Sequence, residues 1–147
     1  MSDSINHPQH YAGIDVTIEC IDLTRHLNFQ LGNAVKYLWR AGKKGGKEQE
    51  IEDLRKALWY LQDYLDHPGL ASNSEAAAEI AWLCLKNQSI KDDGTNIKTK
   101  LVATIILHKD KIPDVMAILN NRIRMLEEYV ALKASQDSRE SPCSSPS

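Results

Sequence analysis

Asn33, Lys36, Tyr37 and Arg40 are spaced three, one and three residues apart, so on a helix they share one face. Asp53, Lys56 and Tyr60 form a comparable polar stripe further along. On two antiparallel neighbouring helices the stripes meet at one rim, beside Lys43 and Lys44. Such a rim combines fixed cations, amide and phenol hydrogen-bonders and aromatic faces, a set that suits a phosphorylated small molecule carrying a base. Arginine and lysine hold phosphate through charge-assisted hydrogen bonds, and Tyr37 or Trp39 offers a ring for a base to stack on. The same spacing also fits a plain salt-bridged surface, in which Lys36 and Arg40 pair with Asp53 and other acids across the two helices.

A second cluster is His7-Pro8-Gln9-His10-Tyr11. Two histidines three residues apart can ligate a metal or exchange protons, but no carboxylate-rich set accompanies them, and a local packing role fits as well. His26, His67 and His108 stand alone, and Trp39, Trp59 and Trp82 read as core or interface aromatics. The turn Gly42-Lys43-Lys44-Gly45-Gly46 lacks the glycine spacing and Lys-Ser/Thr ending of a P-loop. No nucleophile elbow or triad is present. Glu50 and Asp53 have the Glu-x-x-Asp spacing of all-α nucleoside triphosphate pyrophosphohydrolases. Those enzymes need a second acidic pair on a neighbouring helix to hold magnesium. Here the neighbouring helix offers Lys36 and Arg40, which leaves only Glu75 and Glu79 elsewhere, so no metal site is expected.

The elements that must position these residues are helical. Leu31, Ala34, Val35 and Leu38 mark a helix over about 29–41, which Gly42 stops. Ile51, Leu54, Leu58, Leu61 and Leu65 mark a second over about 48–65, and so short a turn between them makes an αα-hairpin. Cys20, Leu23 and Leu27 suggest a preceding helix. The alternation over 14–18 suits a brief strand or a helix entry, behind an irregular arm at 1–16. After His67-Pro68-Gly69, the capping-box spacing of Ser72 and Glu75 starts a fourth helix to about Lys86. The stretch from Ile97 to Leu107 is helical in spacing but rich in β-branched residues. Pro113 opens a long last helix through Val130, and Ser/Pro-rich residues beyond Ser135 predict a disordered tail. The expected class is all-α: an αα-hairpin core with an extended arm, additional C-terminal helices and a tail, divided as 1–67, 68–134 and 135–147.

The chain has 147 residues with 18 basic and 20 acidic side chains. A surface built to neutralise a nucleic-acid backbone is therefore not expected, and DNA is an unlikely partner. The basic charge is local: Arg25, Lys36, Arg40, Lys43, Lys44 and Lys47 fall in a stretch without acids, and six acids follow between Glu48 and Asp66. No apolar run is long enough for a bilayer, and Met1-Ser2-Asp3-Ser4 does not start a signal peptide. The scattered Cys20, Cys84 and Cys143 suit a reducing cytoplasm, without disulfides or a zinc site.

Three blocks together resemble the SaV-like family of small bacteriophage proteins: 7–11 (HPQHY), 18–22 (IECID) and 31–44 (LGNAVKYLWRAGKK), followed by 52–61 (EDLRKALWYL). The resemblance covers about residues 5–66 and leaves 70–147 as a separate helical addition. It implies a phage protein acting in the host cytoplasm. One coliphage relative looks like a nucleoside monophosphate kinase without a P-loop, and a lactococcal phage relative is associated with triggering an abortive-infection defence. If kinase activity carries over, ATP is the donor, Lys36, Arg40, Lys43 and Lys44 hold phosphates, and Asp53 or His10 orients the acceptor, since phosphoryl transfer rests on positioning and charge neutralisation. His7, Tyr11, Asn33, Tyr37, Lys56 and Tyr60 complete the expected nucleotide contacts. The alternatives are a non-catalytic protein that sequesters a (cyclic) nucleotide signal, or an interaction module for a host defence protein. A homo-oligomer is expected, because so small a helical chain needs a partner surface to enclose a nucleotide.

Overall fold

The computed structural model describes residues 18–68, 75–87 and 97–140. The arm with His7, His10 and Tyr11, all but Ile18 of the 14–18 stretch that suits a brief strand or a helix entry, the Ser72 cap and residues 141–147 lie outside them. The fold is all-α. Six helices are described: α1 (Cys20–Thr24), α2 (Phe29–Arg40), α3 (Lys47–Asp66), α4 (Glu75–Asn87), α5 (Ile97–Leu107) and α6 (Ile112–Glu140), with a 3₁₀ turn at Lys109–Lys111 before the last.

α1 is shorter than the apolar spacing to Leu27 suggests. After Thr24 the amides of His26 and Leu27 bond three residues back, to Leu23 and Thr24, a turn geometry that ends the helix. α2 starts on Asn28, whose side chain accepts the Leu31 amide at 2.8 Å, satisfying one of the orphan donors of its first turn. Its end and the hairpin turn rest on Gly42 and Gly45, both left-handed at φ +82° and +76°, a conformation that L side chains adopt at a cost.

α2 packs along α3, and α6 covers a second side of α3. One apolar core joins Leu31, Val35 and Leu38 of α2 to Leu54 and Leu61 of α3 and to residues of α4, α5 and α6. Ala57 and Tyr64 are buried on α3, while Leu58 and Leu65 lie at the edge of the stripe. α5 touches α2, α4 and α6. It buries Thr99, Leu101, Val102, Ala103, Ile105 and Ile106, which accounts for a sequence without a polar face: a helix enclosed by neighbours is apolar all round. α6 runs on to Glu140, past the expected limit at Ser135, because its last residues are polar but include no proline or glycine before Pro142. Among the described residues, no helix is long and apolar enough to cross a membrane.

The hairpin turn should be the most substitution-sensitive glycine site. Gly45→Ala sets a Cβ at 2.7 Å from the Gln49 Cβ in a left-handed conformation; a loss of about 1–3 kcal/mol is expected in urea denaturation. Gly46→Ala meets only the Glu48 carboxylate, at 3.7 Å, and should cost under about 1 kcal/mol.

Candidate functional site

The α2–α3 hairpin brings Lys36, Tyr37, Arg40, Asp53, Lys56 and Tyr60 to one side. Tyr37 and Tyr60 are stacked, centroids 6.1 Å apart and planes 10° apart. The Lys36 Nζ lies 4.5 Å from the Tyr37 centroid and the Lys56 Nζ 5.3 Å from it, both within cation–π reach. Phe29 and Trp59 meet Tyr60 edge-on, at 5.8 and 5.1 Å, and both remain largely exposed. Asn33 turns its amide back to the Phe29 carbonyl, one turn earlier in its own helix, at 2.8 Å.

Asp53 does not belong to the exposed stripe that the spacing predicts. It is fully buried, accepts a bond from Gln49 Nε2 at 3.1 Å on Oδ1, and holds Oδ2 at 3.5 Å from the Nε of half-exposed Arg40. That Oδ2 has the Arg40 ion pair but no hydrogen-bond partner among the described residues. Asp53 therefore fixes Arg40 from beneath and is not open to a ligand, because the seam between α2 and α3 closes over it. Glu50, one turn earlier, is also buried. Its Oε2 accepts from the Nε of Arg122 at 3.0 Å, with Nη2 at the same distance. The acidic pair is thus divided between arginines of two helices, α2 and α6. Glu75 on α4 is exposed.

Lys43 and Lys44 are exposed on the turn, but Lys43 does not join the tyrosine rim. Its Nζ lies 5.6 Å from the Trp39 centroid, and it lines a cleft of about 600 Å³ that α5 and α6 close against the hairpin. The cleft also takes Lys47, Lys98 and Arg122. That Lys98 and Arg122 line it is something sequence reasoning missed; nothing in their spacing ties them to the hairpin. Trp39 is buried in the core, so it offers no free face to a base, whereas Trp59 and Trp82 are each 62% exposed on outer helix faces. Burial pushes the half-buried Cys20 thiol up, partly offset by Lys43, the Thr24 hydrogen bond and Lys36. His7, His10 and Tyr11 lie outside the described residues.

Comparison with known proteins bears on the first half of the chain. Residues 5–62 match a family described as a protein of unknown function, DUF3310. The Gene 1.7 protein of Enterobacteria phage T3 is 32% identical over 76 residues, which are 48% of this chain and 47% of that protein. The chain thus spans about half the length of the curated relative it matches. Together the two matches support a relation to a family of small phage proteins. No solved structure matches. Every described residue of the tyrosine rim falls inside the family match, whereas Lys98 and Arg122 fall outside it.

The Arg40–Asp53 pair should be energetically coupled. Arg40→Gln leaves a buried carboxylate with Gln49 alone and should cost about 1–3 kcal/mol. Combining it with Asp53→Asn should recover part of that loss, read as the interaction term of a double-mutant cycle in urea denaturation.

Proposed function

We propose that the protein binds a nucleoside phosphate on the α2–α3 rim and transfers phosphoryl from ATP to a nucleoside monophosphate there. The observation that carries the binding site is the convergence of Lys36 and Lys56, from two helices, on the one ring of Tyr37. Two ammonium groups that share one ring repel, more strongly near a protein surface than in bulk water. Glu52, 3.7 Å from Lys56 and exposed, offsets part of this, and a bound phosphate offsets more through charge-assisted bonds to both. Arg40, oriented by Asp53, has donors beyond the Nε it turns to that carboxylate and supplies a third cation. The exposed ring of Phe29, edge-on to Tyr60, gives a base an apolar face. Phosphoryl transfer is then a matter of positioning and charge neutralisation, and the kinase activity itself rests on the resemblance to the coliphage relative.

A second reading, sequestration of a nucleotide or cyclic nucleotide without chemistry, is favoured by the burial of Asp53. Of the residues expected to orient an acceptor, it is the one described, and it has no exposed oxygen.

Calorimetry across mono-, di-, tri- and cyclic nucleotides, followed by chromatography of the recovered ligand with ATP present, separates these readings. Saturable binding is expected, weakened about tenfold, or ~1.4 kcal/mol, by Lys36→Ala and by Lys56→Ala, with a monophosphate converted to its diphosphate. Recovery of the ligand unchanged would establish sequestration instead. Absence of binding to every nucleotide would overturn both.

A further inference from the structure

The cleft behind the hairpin has a different chemistry from the rim. Its base is made of Leu38, Leu54, Leu101 and Leu119, all of them buried in the core. Four cations stand at its edge: Lys43 and Lys47 from the hairpin, Lys98 from the start of α5, and Arg122 from the middle of α6. Among the described residues that line it, Glu50 is the one carboxylate, and both the Nε and the Nη2 of Arg122 already converge on its Oε2. Lys98 donates to the Ala41 carbonyl, which ties the start of α5 to the end of α2. The Lys47 Nζ lies 6.0 Å from the Tyr129 centroid on α6, while Lys47 itself lines the cleft. The result is a cleft with an apolar floor, lined also by lysines drawn from separate elements.

We infer that this cleft is a second binding site, for a small organic phosphate with an apolar body. The phosphate sits among Lys43, Lys47 and Lys98, and the apolar portion covers the leucine floor. The cleft volume of about 600 Å³ is within the range of small-molecule sites. Arg122 stays with Glu50: drawing it to the ligand would leave a buried carboxylate unpaired. The site stands on the cleft alone and does not depend on what the tyrosine rim holds.

The test uses the full chain and 1-naphthyl phosphate as probe, followed by its fluorescence and by amide chemical shifts. Inorganic phosphate supplies the charge alone and 1-naphthol the apolar body alone. The probe should bind more tightly than either, with shifts at Gly42, Lys43 and Lys98. Lys47→Glu removes a cation, and Ile118→Trp fills the cleft from a half-exposed position that the core does not need. Each should weaken binding about tenfold or more, with circular dichroism confirming the fold. Lys86→Glu, the same charge reversal on exposed α4, should leave binding unchanged. The proposal is overturned if the probe does not saturate, if its shifts fall outside the cleft, or if Ile118→Trp binds it as well as the parent. It is equally overturned if Lys86→Glu weakens binding as much as Lys47→Glu, since net charge alone would then account for it.

Discussion

Two carboxylates one turn apart on α3 organise this molecule. Glu50 and Asp53 are both buried, and each is met by an arginine from a different helix, Arg122 of α6 and Arg40 of α2. Buried ion pairs contribute little net stability, because desolvation offsets most of the attraction. What they impose is registry: a pair that fails to form leaves a charge stranded in the interior, a far larger penalty than a slipped leucine. The apolar stripe of α3 says that helices must cover it on two sides. The two carboxylates fix how far along α3 each covering helix sits.

That registry determines both polar surfaces. With Arg40 drawn to Asp53, the neighbouring turns of α2 and α3 bring Tyr37 against Tyr60 and leave Lys36 and Lys56 beside the Tyr37 ring. With Arg122 drawn to Glu50, α6 stands beside the hairpin turn, and the start of α5 encloses the space between them. Gly42 permits this closeness, since a Cβ there would lie 3.4 Å from the Glu50 carboxyl carbon, in a left-handed conformation. The turn is therefore shaped by the carboxylate beneath it as well as by the need to reverse the chain.

The hairpin was legible because its period, its glycine stop and its charge reversal agree. The all-α class followed from the same periodicity. α5 was ambiguous for a physical reason: a central helix has no polar face to reveal its period, and its β-branched residues suit a strand equally well. The spacing offers Asp53 both as a member of a polar stripe and as a partner of Arg40; the structure has the pairing, and what the spacing does not show is that the carboxylate is buried. A helical projection gives the direction of a side chain but not how closely the next helix approaches, and here the seam buries it. The cleft was invisible because the Arg122 that pairs with Glu50 lies 72 residues away in sequence, and no local pattern links them. Lys43 was assigned to the wrong surface for the same reason, since only α5 and α6 show which way the turn faces.

Arginine and lysine divide the work in a way that follows from their chemistry. The guanidinium is weakly hydrated and planar, so it tolerates the partial burial needed to answer a buried carboxylate. Arg40 and Arg122 do this, each with its side chain a little under half exposed. The ammonium is strongly hydrated and sits on a flexible stem, so it stays where water or an anionic ligand can reach it. Lys36 and Lys56 do so on the rim, and Lys43 and Lys47 at the cleft, all exposed. A ligand that recruited either arginine outright would have to compensate for a stranded carboxylate, about 1–3 kcal/mol or more, before gaining anything. Among the described residues the lysines carry no such buried partner: the carboxylate that meets Lys56 is the exposed Glu52. The pairs that hold α2 and α6 to α3 and the exposed lysines therefore stay energetically separate although they share one helix.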